Sequence, residues 1–412
     1  MSSPRVLIVA EHASAKFGGE AILPLHYFRR LRARGVEAWL IVHARTQAEL
    51  SALLPQEADR IIYIPDTWAH RLLYTLSKPF PRVIQLYTFE FVMGLLTQIL
   101  ARRIARRLVR EQRIDVVHQP IPVSPKLSSI LHKLGAPVVI GPMNGGMTYP
   151  EAFRRLEGPA VRLFLRVGRW SAQLVNRLMP GKLRAELLLV ANERTRVALP
   201  AGVRGRVVEL VENGVDLTLW QPAQSSEHTG PVRFVFAGRL VDWKAVDLLL
   251  AAFARLTTPA TLAVIGSGPE QPRLEEQAKT LGVAERITFH GWQAQPDAAK
   301  LLQAADAFVL PSLFECGGAV VLEAMATGLP VIATDWGGPA DYLDPSCGIL
   351  IPPTGREEFI VGLTEAMAKL AAAPELRRQL GAAGRAKAVQ LYDWERKIDR
   401  ILELYREVAP GA

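Results

Sequence analysis

Cysteine is nearly absent from this chain, whose 412 residues include only Cys316 and Cys347. Two cysteines are too few for a disulfide framework, and their spacing fits no metal-binding knuckle. The scarcity excludes the small disulfide-rich folds of secreted proteins and predicts a protein of a reducing cytosol.

Long apolar runs are missing as well. No uncharged apolar stretch approaches the roughly 20 residues of a membrane-spanning helix. Residues 1–10 lack the apolar core and the small-residue cleavage site of a signal peptide, and we expect a short strand at 6–9 instead. These absences predict a cytoplasmic protein.

What is present is enough apolar sequence for more than one core. Hydrophobic residues make up 49% and charged residues 22% of the chain, a balance that excludes intrinsic disorder. Because 412 residues exceed one ordinary hydrophobic core, we expect two domains.

Acidic residues are scarce in the first half only. Residues 1–206 contain 31 Lys and Arg against 14 Asp and Glu, whereas residues 207–412 contain 18 against 26. The asymmetry indicates different partners for the two halves, with an anionic lipid, a nucleic acid or an acidic substrate for the first. Segments 98–113 and 153–170 mix arginine with large apolar residues, which predicts contact with an anionic membrane surface. A basic helix face that is solvated or packed on the domain is the alternative.

Short apolar runs alternate with helical patterns along both halves, which predicts an α/β fold with doubly wound sheets. In the first half we predict strands at 6–9, 38–42, 114–118 and 137–141. In the second half we predict strands at 232–237, 261–265, 287–289, 307–310 and 331–333, and helices at 245–256, 270–281, 297–304, 320–327 and 355–371. The polar stretch between residues 205 and 230 places the boundary between a domain at 1–210 and a domain at 211–392.

The segment 313–338 contains the most informative pattern. A predicted strand is followed by the glycines Gly317 and Gly318 and by a helix that begins near Ala319. Free N–H groups and the helix dipole at such a start favour a phosphate, and glycine lets a ligand approach the backbone. Glu315 and Glu323 flank this start, so that their carboxylates are able to accept hydrogen bonds from hydroxyl groups of two sugar rings.

A second segment, 236–247, adds positive charge after another predicted strand. Gly238 turns the chain, and Arg239 and Lys244 supply two cations suited to phosphate oxygens. Gly266 lies in a weaker strand-to-helix turn, and Gly291 with Trp292 offers backbone and a ring against which a base can lie. Together these loops predict a diphosphate site, whereas each one alone is compatible with an ordinary surface loop or a core tryptophan.

Glu315 and Glu323, with seven residues between them, resemble the E-x7-E motif of retaining glycosyltransferase family 4 (glycosyltransferase group 1). The run "GLPVIATDWGG" after this motif, "GRL" and Lys244 before it, and "NGVD" at 213–216 are similar to the same family in order and spacing. The resemblance implies a GT-B fold, in which two Rossmann-like domains face each other across a cleft. It also implies that a last helix, about 393–412, rejoins the first domain.

The resemblance further implies roles for these residues. Glu315 contacts the donor sugar, Glu323 contacts the ribose, and Arg239 and Lys244 neutralise the diphosphate without a metal ion. The absence of any D-x-D motif agrees with a site that holds no metal. The expected donor-binding residues are Gly18, Gly19, Gly238, Gly266, Gly291, Trp292, Cys316, Gly317, Gly318, Ala319, Val320 and Glu323.

Two regions depart from the family pattern or match it less tightly. Cys316 and the two glycines after it replace the usual Gly-Phe-Gly or Pro-Phe-Gly, which leaves the donor sugar open. In the first half, "DVVHQPIPVSP" and "PVVIGPMNGGMTYP" resemble members that assemble bacterial exopolysaccharides and lipid-linked glycans. His118 is the candidate catalytic histidine there, with a purely structural role as the alternative. Asn144, Gly145 and Gly146 are candidates for the acceptor side.

These observations predict a retaining, metal-independent glycosyltransferase that uses a UDP- or GDP-sugar as donor substrate, needs no cofactor and acts on a glycan or lipid-linked acceptor. Peripheral association with the inner face of the membrane is part of this prediction, and nucleic acid is not an expected partner. A GT-B phosphorylase or epimerase, or a non-catalytic basic protein that binds nucleic acid or membrane, is the alternative. A nicotinamide-dependent oxidoreductase is disfavoured because "GSGPE" lacks the third glycine of a G-x-G-x-x-G turn.

Overall fold

The computed structural model describes residues 3–16, 19–81, 84–156, 173–223 and 230–409. The chain forms two compact units. The first unit comprises Met1–Gly146, Pro159–Glu212 and Lys397–Ala412, and the second comprises Met147–Gly158 and Asn213–Arg396. Met147–Gly158 thus belongs with the second unit, although it lies inside the range 1–210 expected for the first domain.

The first unit is built on a parallel sheet of seven strands in the order β3-β2-β1-β4-β5-β6-β7. Its strands are β1 (Val6–Val9), β2 (Ala38–His43), β3 (Ile61–Ile64), β4 (Val116–Gln119), β5 (Val138–Met143), β6 (Leu187–Val190) and β7 (Arg206–Glu209). The central strand β1 pairs in parallel with β2 and with β4, so Val6 lies between Ala38 and Val116. The chain therefore reverses its direction of winding between β1 and β4.

Helices cover the faces of this sheet. Those of the first unit are α1 (Gly19–Ala33), α2 (Gln47–Leu53), α3 (Trp68–Ser77), α4 (Glu90–Glu111), α5 (Gly181–Arg184) and α6 (Glu193–Val197). Short 3-10 segments lie at Ala44–Thr46 and Pro55–Arg60, and a π-helical turn lies at Gln85–Phe89. Because both faces are covered, the central strands are buried throughout and read as continuous apolar runs.

The second unit repeats the design with a parallel sheet of six strands in the order β10-β9-β8-β11-β12-β13. Its strands are β8 (Val232–Ala237), β9 (Ala260–Ile265), β10 (Ile287–Gly291), β11 (Ala307–Leu310), β12 (Val331–Thr334) and β13 (Gly348–Ile351). Its helices are α7 (Val246–Ala254), α8 (Gln271–Thr280), α9 (Gln295–Gln303), α10 (Ala319–Thr327), α11 (Gly338–Tyr342), α12 (Arg356–Ala372) and α13 (Pro374–Lys387). Shorter helical segments lie at Glu151–Leu156, Asp242–Lys244, Ala284–Arg286 and Ala388–Tyr392.

The last helix, α14 (Trp394–Val408), begins in the second unit and continues in the first from Lys397 onward. Its apolar side is buried, including Ile398, Ile401 and Tyr405. In the first unit Tyr405 packs edge-on against His118, with 5.6 Å between the ring centroids. These contacts hold the end of the chain in the first unit.

The expectation of two Rossmann-like parallel sheets is confirmed. All nine predicted strands are present within a few residues, but β3, β6, β7 and β13 were not predicted. Three of these four are edge strands. An edge strand has a single neighbour and is only partly buried, as Arg206–Glu209 shows, so its apolar pattern is weak.

For segment 98–113 the structure favours the alternative of a basic helix packed on its own domain, and contact with a membrane surface stays a prediction. This segment falls in α4, whose apolar side chains Ala101, Ala105, Leu108 and Val109 are buried in the core of the first unit. The helix is therefore packed on its own domain, and three of its arginines, at 103, 107 and 110, are exposed. Most of the other predicted segment, 153–170, lies outside the described residues. Among the helices that the structure describes, none is long and apolar enough to cross a bilayer.

Candidate active site

Three glycine turns meet at the carboxyl edge of the second sheet. The Gly238 N–H donates to the carbonyl of Ile265 at 2.9 Å, and the Gly266 N–H donates to the carbonyl of Gly291 at 2.7 Å. Gly266 has φ +127°, and a Cβ at this position would lie 1.9 Å from the Gly238 carbonyl oxygen. Only glycine fits at this position. The two hydrogen bonds join the loops after β8, β9 and β10 into one continuous backbone surface.

The two charged groups at the centre of this edge contact each other directly. The Lys244 ammonium forms an ion pair with the Glu315 carboxylate, and their side chains are only 13% and 17% exposed. Lys244 follows β8 and Glu315 follows β11, the two strands between which the winding of the sheet reverses. Ligands of open α/β sheets bind at such a switch point. The Leu313 N–H donates to the Trp243 carbonyl at 2.9 Å and ties the two loops together.

The glycine loop after Glu315 leads directly into a helix start. Gly318 is the residue before α10, and its φ of +83° is a left-handed conformation that glycine adopts without strain. The N–H groups of its first turn carry the positive end of the helix dipole, and the third of them, Val321, donates to the Gly318 carbonyl at 2.9 Å. The predicted helix start after a glycine loop is thus present, and its use as an anion site stays a prediction.

Glu323 lies one turn into α10 and is partly buried. Burial raises the pKa of its carboxyl from 4.5 to about 7. Near neutral pH this carboxyl is therefore present in both protonation states, and it is able to accept or donate a hydrogen bond to a hydroxyl group.

A supporting layer behind Glu315 was not predicted from the sequence. The Gly338 N–H donates to the Glu315 carbonyl at 2.8 Å, which joins the loop after β12 to the loop after β11. Tyr149 packs on Phe314 with 5.0 Å between ring centroids and 31° between planes. The Trp336 indole N–H donates to the Thr148 carbonyl at 2.8 Å. The paired glycines of "DWGG" after a strand were the available signal, but the aromatic contacts join residues far apart in sequence.

Other predicted residues lie at the same edge without joining the Lys244–Glu315 pair. Arg239 is exposed, and within the part of the chain that the structure describes its guanidinium forms no ion pair. Trp292 is 65% exposed, so it is not the core tryptophan of the alternative interpretation. Cys316 carries a partly exposed thiol, whereas Gly317 is buried and Val320 is partly exposed.

Comparison with known proteins is consistent with this geometry. Residues 221–387 match the family model described as glycosyl transferases group 1. The alpha-maltose-1-phosphate synthase of Mycolicibacterium smegmatis is 31% identical over 221 residues, which cover 49% of this chain and 57% of that protein. The D-inositol 3-phosphate glycosyltransferase of Segniliparus rotundus is 34% identical over 221 residues, covering 50% and 48% respectively. The chain thus spans about half the length of the curated relatives it matches.

A solved structure matches along nearly the whole chain. The Anabaena protein HepE in complex with UDP and glucose has a TM-score of 0.69 at 17% identity, over 98% of this chain and 100% of that chain. These findings support the group 1 glycosyltransferase family, with its GT-B fold. The family model covers most of the second unit and includes Arg239, Lys244, Glu315 and Glu323.

In the first unit, His118 does not have the environment of a catalytic histidine. It is fully buried, its Nε2 lies 2.5 Å from the Gly141 carbonyl oxygen, and its Nδ1 lies 2.6 Å from the Tyr405 hydroxyl. A carbonyl only accepts, so Nε2 carries the proton and Nδ1 accepts from Tyr405. Burial lowers the pKa of His118 to about 4. Both ring nitrogens are engaged, which favours the structural alternative for this residue.

The predicted acceptor-side residues form a tightly packed turn after β5. The Gly145 N–H donates to the Thr195 hydroxyl at 3.0 Å, and Asn144 is only 3% exposed, with the Thr195 hydroxyl 3.4 Å from its side-chain oxygen. Gly146 is exposed at the end of this turn. Asn144 and Gly145 thus shape the turn, and only Gly146 is open to solvent. Gly18 lies outside the described residues, and Gly19 begins α1.

One group of potential metal ligands occurs in the described residues of the first unit. The ligand atoms of His43, Asp66 and His70 lie within 4.8 Å of one another. The His43 Nδ1, however, accepts hydrogen bonds from the backbone N–H and the Nε of Arg45, both at 3.2 Å. The ring proton therefore sits on Nε2, which has no lone pair to offer a metal. This Nε2 is buried and forms no hydrogen bond within the part of the chain that the structure describes, so hydrogen bonds hold the ring through its Nδ1.

Proposed function

We propose that this protein is a retaining glycosyltransferase of family 4 that transfers a sugar from a nucleotide diphosphate sugar to a glycan or lipid-linked acceptor. The observation that carries the proposal is the Lys244–Glu315 pair, which lies at the switch point of the second sheet beside the start of α10. A cation, a helix N-terminus and a carboxylate within one edge suit a diphosphate and the sugar attached to it.

The pair also suggests how the site receives its ligand. In the free protein each charge neutralises the other, which offsets the cost of their partial burial. We propose that an incoming diphosphate draws the Lys244 ammonium to its own oxygens. The Glu315 carboxylate is then left to accept hydrogen bonds from hydroxyl groups of the sugar. Glu323, one turn further along α10, takes the ribose hydroxyls.

In the proposed reaction the bond between the anomeric carbon and the diphosphate oxygen breaks, and a bond from the anomeric carbon to the acceptor hydroxyl oxygen forms on the same face. The acceptor proton passes to the leaving phosphate oxygen. Lys244, Arg239 and the first N–H groups of α10 stabilise the charge that develops on the diphosphate, the role that a metal ion plays in other glycosyltransferases. The absence of a D-x-D motif supports the metal-independent form of this reaction.

The donor and the setting are inferred from relatives. The HepE structure contains UDP and glucose, which supports a UDP-sugar ahead of a GDP-sugar as the donor. One curated relative is named a D-inositol 3-phosphate glycosyltransferase and another an alpha-maltose-1-phosphate synthase. We propose a role in bacterial cell-surface polysaccharide synthesis at the cytoplasmic face of the membrane, with neither cofactor nor nucleic acid involved.

Donor binding is the direct test. Thermal unfolding of the full chain is measured with UDP-glucose, GDP-mannose and ADP-glucose, because a true donor stabilises the native state by about 2.7 kcal/mol at one hundred times its Kd. We expect one nucleotide sugar to raise the Tm of the wild type and to have little effect on Lys244→Ala. The control is Lys300→Ala, which removes an exposed lysine of the same unit that pairs with Asp297 at 3.0 Å.

The proposal is wrong if no nucleotide sugar raises the Tm, or if Lys244→Ala responds as the wild type does. With a responding donor, proton NMR of the product formed on a simple alcohol acceptor distinguishes retention from inversion at the anomeric carbon. Release of a sugar phosphate when inorganic phosphate replaces the acceptor would instead support a phosphorylase.

A further inference from the structure

The first unit contains a cavity of about 490 Å³. Its walls come from the loops after β1 and β4, from the end of β3 and from one face of α4. The volume falls in the range of small-molecule binding sites, roughly 300–1,000 Å³. None of the residues predicted for the donor or acceptor lines it, although Glu20 in its wall directly follows Gly19.

The cavity lies where the fold places ligands. Ala10 to His12 follow β1, and Ile121 and Pro122 follow β4, and both stretches line the cavity. The first sheet reverses its winding between β1 and β4, so the cavity occupies the switch point of this sheet. The corresponding position in the second unit carries the Lys244–Glu315 pair.

Polar groups in the wall are already hydrogen-bonded to the protein. Glu20 accepts from the Val123 N–H at 2.9 Å, and Gln98 accepts from the Ile130 N–H at 3.2 Å. Gln119 accepts from the Ser129 hydroxyl at 2.6 Å. The remaining wall is mostly hydrocarbon, including Ile64, Leu95, Leu131 and Met179. A ligand segment that needs no hydrogen bonds fits such a wall.

The charges around the wall favour an uncharged ligand segment. Among the described residues that line the cavity, none is Lys or Arg, whereas Glu11, Glu20 and Glu90 are acidic. Glu11 pairs with Arg45 at 3.2 Å, so its charge is already compensated. Because the lining offers a phosphate no cation of its own, we place any phosphate of the ligand outside the cavity.

Exposed apolar side chains lie on α4 and on the neighbouring helix α3. Phe91 lines the cavity and is 41% exposed, and Val92 beside it is 45% exposed. The helix α3 is joined to α4 by a hydrogen bond between the His70 Nε2 and the Thr97 hydroxyl at 3.1 Å. On α3 four large apolar side chains are exposed, namely Trp68, Leu72, Tyr74 and Leu76. A hydrocarbon chain thus finds apolar contacts both inside and outside the cavity.

We propose that this cavity binds the uncharged hydrocarbon chain of a lipid acceptor, with the phosphate and sugar of that acceptor outside it. This inference rests on the proposed glycosyl transfer, because it assigns the acceptor class of that reaction. It is independent of the membrane contact predicted for segment 98–113, whose apolar side is buried in the core.

Gly94 allows the cavity to be filled without disturbing the fold. Glu90, Gly94, Gln98 and Ala101 line the cavity from successive turns of α4, and a Cβ added at Gly94 meets no atom within 4 Å. Gly94→Trp therefore places a large side chain in the cavity, whereas Gly94→Ala adds one methyl group and serves as the matched control. Both replacements also favour the helix over glycine.

The experiment measures binding of n-decyl β-D-maltoside, below its micelle concentration, to the full chain by calorimetry. Maltose is the head-group control. We expect saturable binding of the decyl compound to the wild type and to Gly94→Ala, affinity at least about tenfold weaker for Gly94→Trp, and no binding of maltose. The Tm increase produced by the nucleotide sugar should be equal in all three proteins.

The inference is overturned if the wild type binds no decyl maltoside, if Gly94→Trp binds it as tightly as the wild type, or if maltose binds equally well. It is also overturned if light scattering shows a dimer that Leu72→Asp dissociates while decyl maltoside does not bind, because a second copy then covers the apolar surface. A nucleotide-sugar response without alkyl binding refutes this inference alone. Alkyl binding without a nucleotide-sugar response refutes the proposed function alone.

Discussion

The two units carry the same kind of parallel sheet, but the groups that lie at the switch point differ, being charged in one unit and mostly apolar in the other. At the switch point of the second sheet, Lys244 pairs with Glu315 beside three turns whose glycines have no side chain. At the switch point of the first sheet lies an apolar cavity without a lysine or arginine among the described residues of its wall. One sheet edge suits a diphosphate and the other suits hydrocarbon.

The comparison shows that the fold determines where a ligand site lies in each sheet, whereas the loops determine which chemical groups line it. Both positions follow from strands whose carboxyl ends diverge where the winding reverses. In the second unit the loops are short and rich in glycine, so backbone N–H groups remain available. In the first unit the long helix α4 covers the edge and brings apolar side chains to it.

The largest effect is expected for a substitution of Glu315, and it tests whether the second unit carries the proposed glycosyl transfer. Glu315→Gln keeps the shape but removes the charge that pairs with Lys244. We expect kcat/KM for glycosyl transfer to fall by about 10²–10³, since a preplaced electrostatic partner of the reacting groups is lost. Steady-state kinetics with the donor found by thermal shift measures this, with Glu276→Gln as a control at an exposed position. An unchanged kcat/KM would remove Glu315 from the site.

Next in size is the effect of crowding the glycine turns. Gly266→Ala places a Cβ 1.9 Å from the Gly238 carbonyl oxygen at a φ of +127°. We expect a loss of about 3 kcal/mol in the free energy of unfolding, together with weaker donor binding, because both turns must shift. Gly282→Ala is the matched control, since its φ is also positive, at +69°, but its added Cβ meets nothing within 4 Å. Equal urea denaturation curves for the two variants would contradict the packing argument.

His118 tests whether the first unit uses this residue for stability and not for catalysis. His118→Ala removes a fully buried ring that is hydrogen-bonded to Gly141 and Tyr405. We expect a loss of about 3 kcal/mol in unfolding free energy. Tyr405→Phe, which removes one of these bonds, should cost about 1 kcal/mol. If the folded fraction of His118→Ala loses transfer activity while Tyr405→Phe keeps it, the catalytic alternative is restored.

The smallest expected effect is a pH dependence of stability, which has opposite signs for one group of each unit. The Glu323 pKa is raised by burial to about 7, so the native state holds a proton that the unfolded chain releases above 4.5. Its contribution to stability is therefore complete below pH 4.5 and is lost as the pH rises through 7. The His118 pKa is lowered to about 4 from 6.5, so its contribution is present above pH 6.5 and is lost as the pH falls through 4.

The measurement is the Tm of the wild type and of Glu323→Gln between pH 5 and pH 7.5. We expect the Tm difference, variant minus wild type, to grow as the pH rises across this interval. Glu276→Gln, at an exposed position of the same unit, should show a difference that does not change with pH. A constant difference for Glu323→Gln would mean that this carboxyl is not desolvated.

Much of the second unit was predictable because its signals are local. The helix α10 was predicted at 320–327 and is found at Ala319–Thr327, bounded by Gly318 and Gly328, both in left-handed conformations. Edge strands were harder, since β7 and β13 are only partly buried and each pairs with one neighbour. The short buried strand β6 was also missed, although Leu187–Val190 is entirely apolar.

By itself, the sequence determined two α/β domains and predicted a diphosphate site, because strand periodicity, glycine turns and charged residues are recognisable within short segments. Only the tertiary structure decided that His118 is buried between Gly141 and Tyr405, that Tyr149 supports Phe314, and that α4 covers an apolar cavity. The physical reason is that these features depend on packing between residues distant in the chain. Burial, and with it the pKa of a group and the polarity of a cavity, is set by those neighbours.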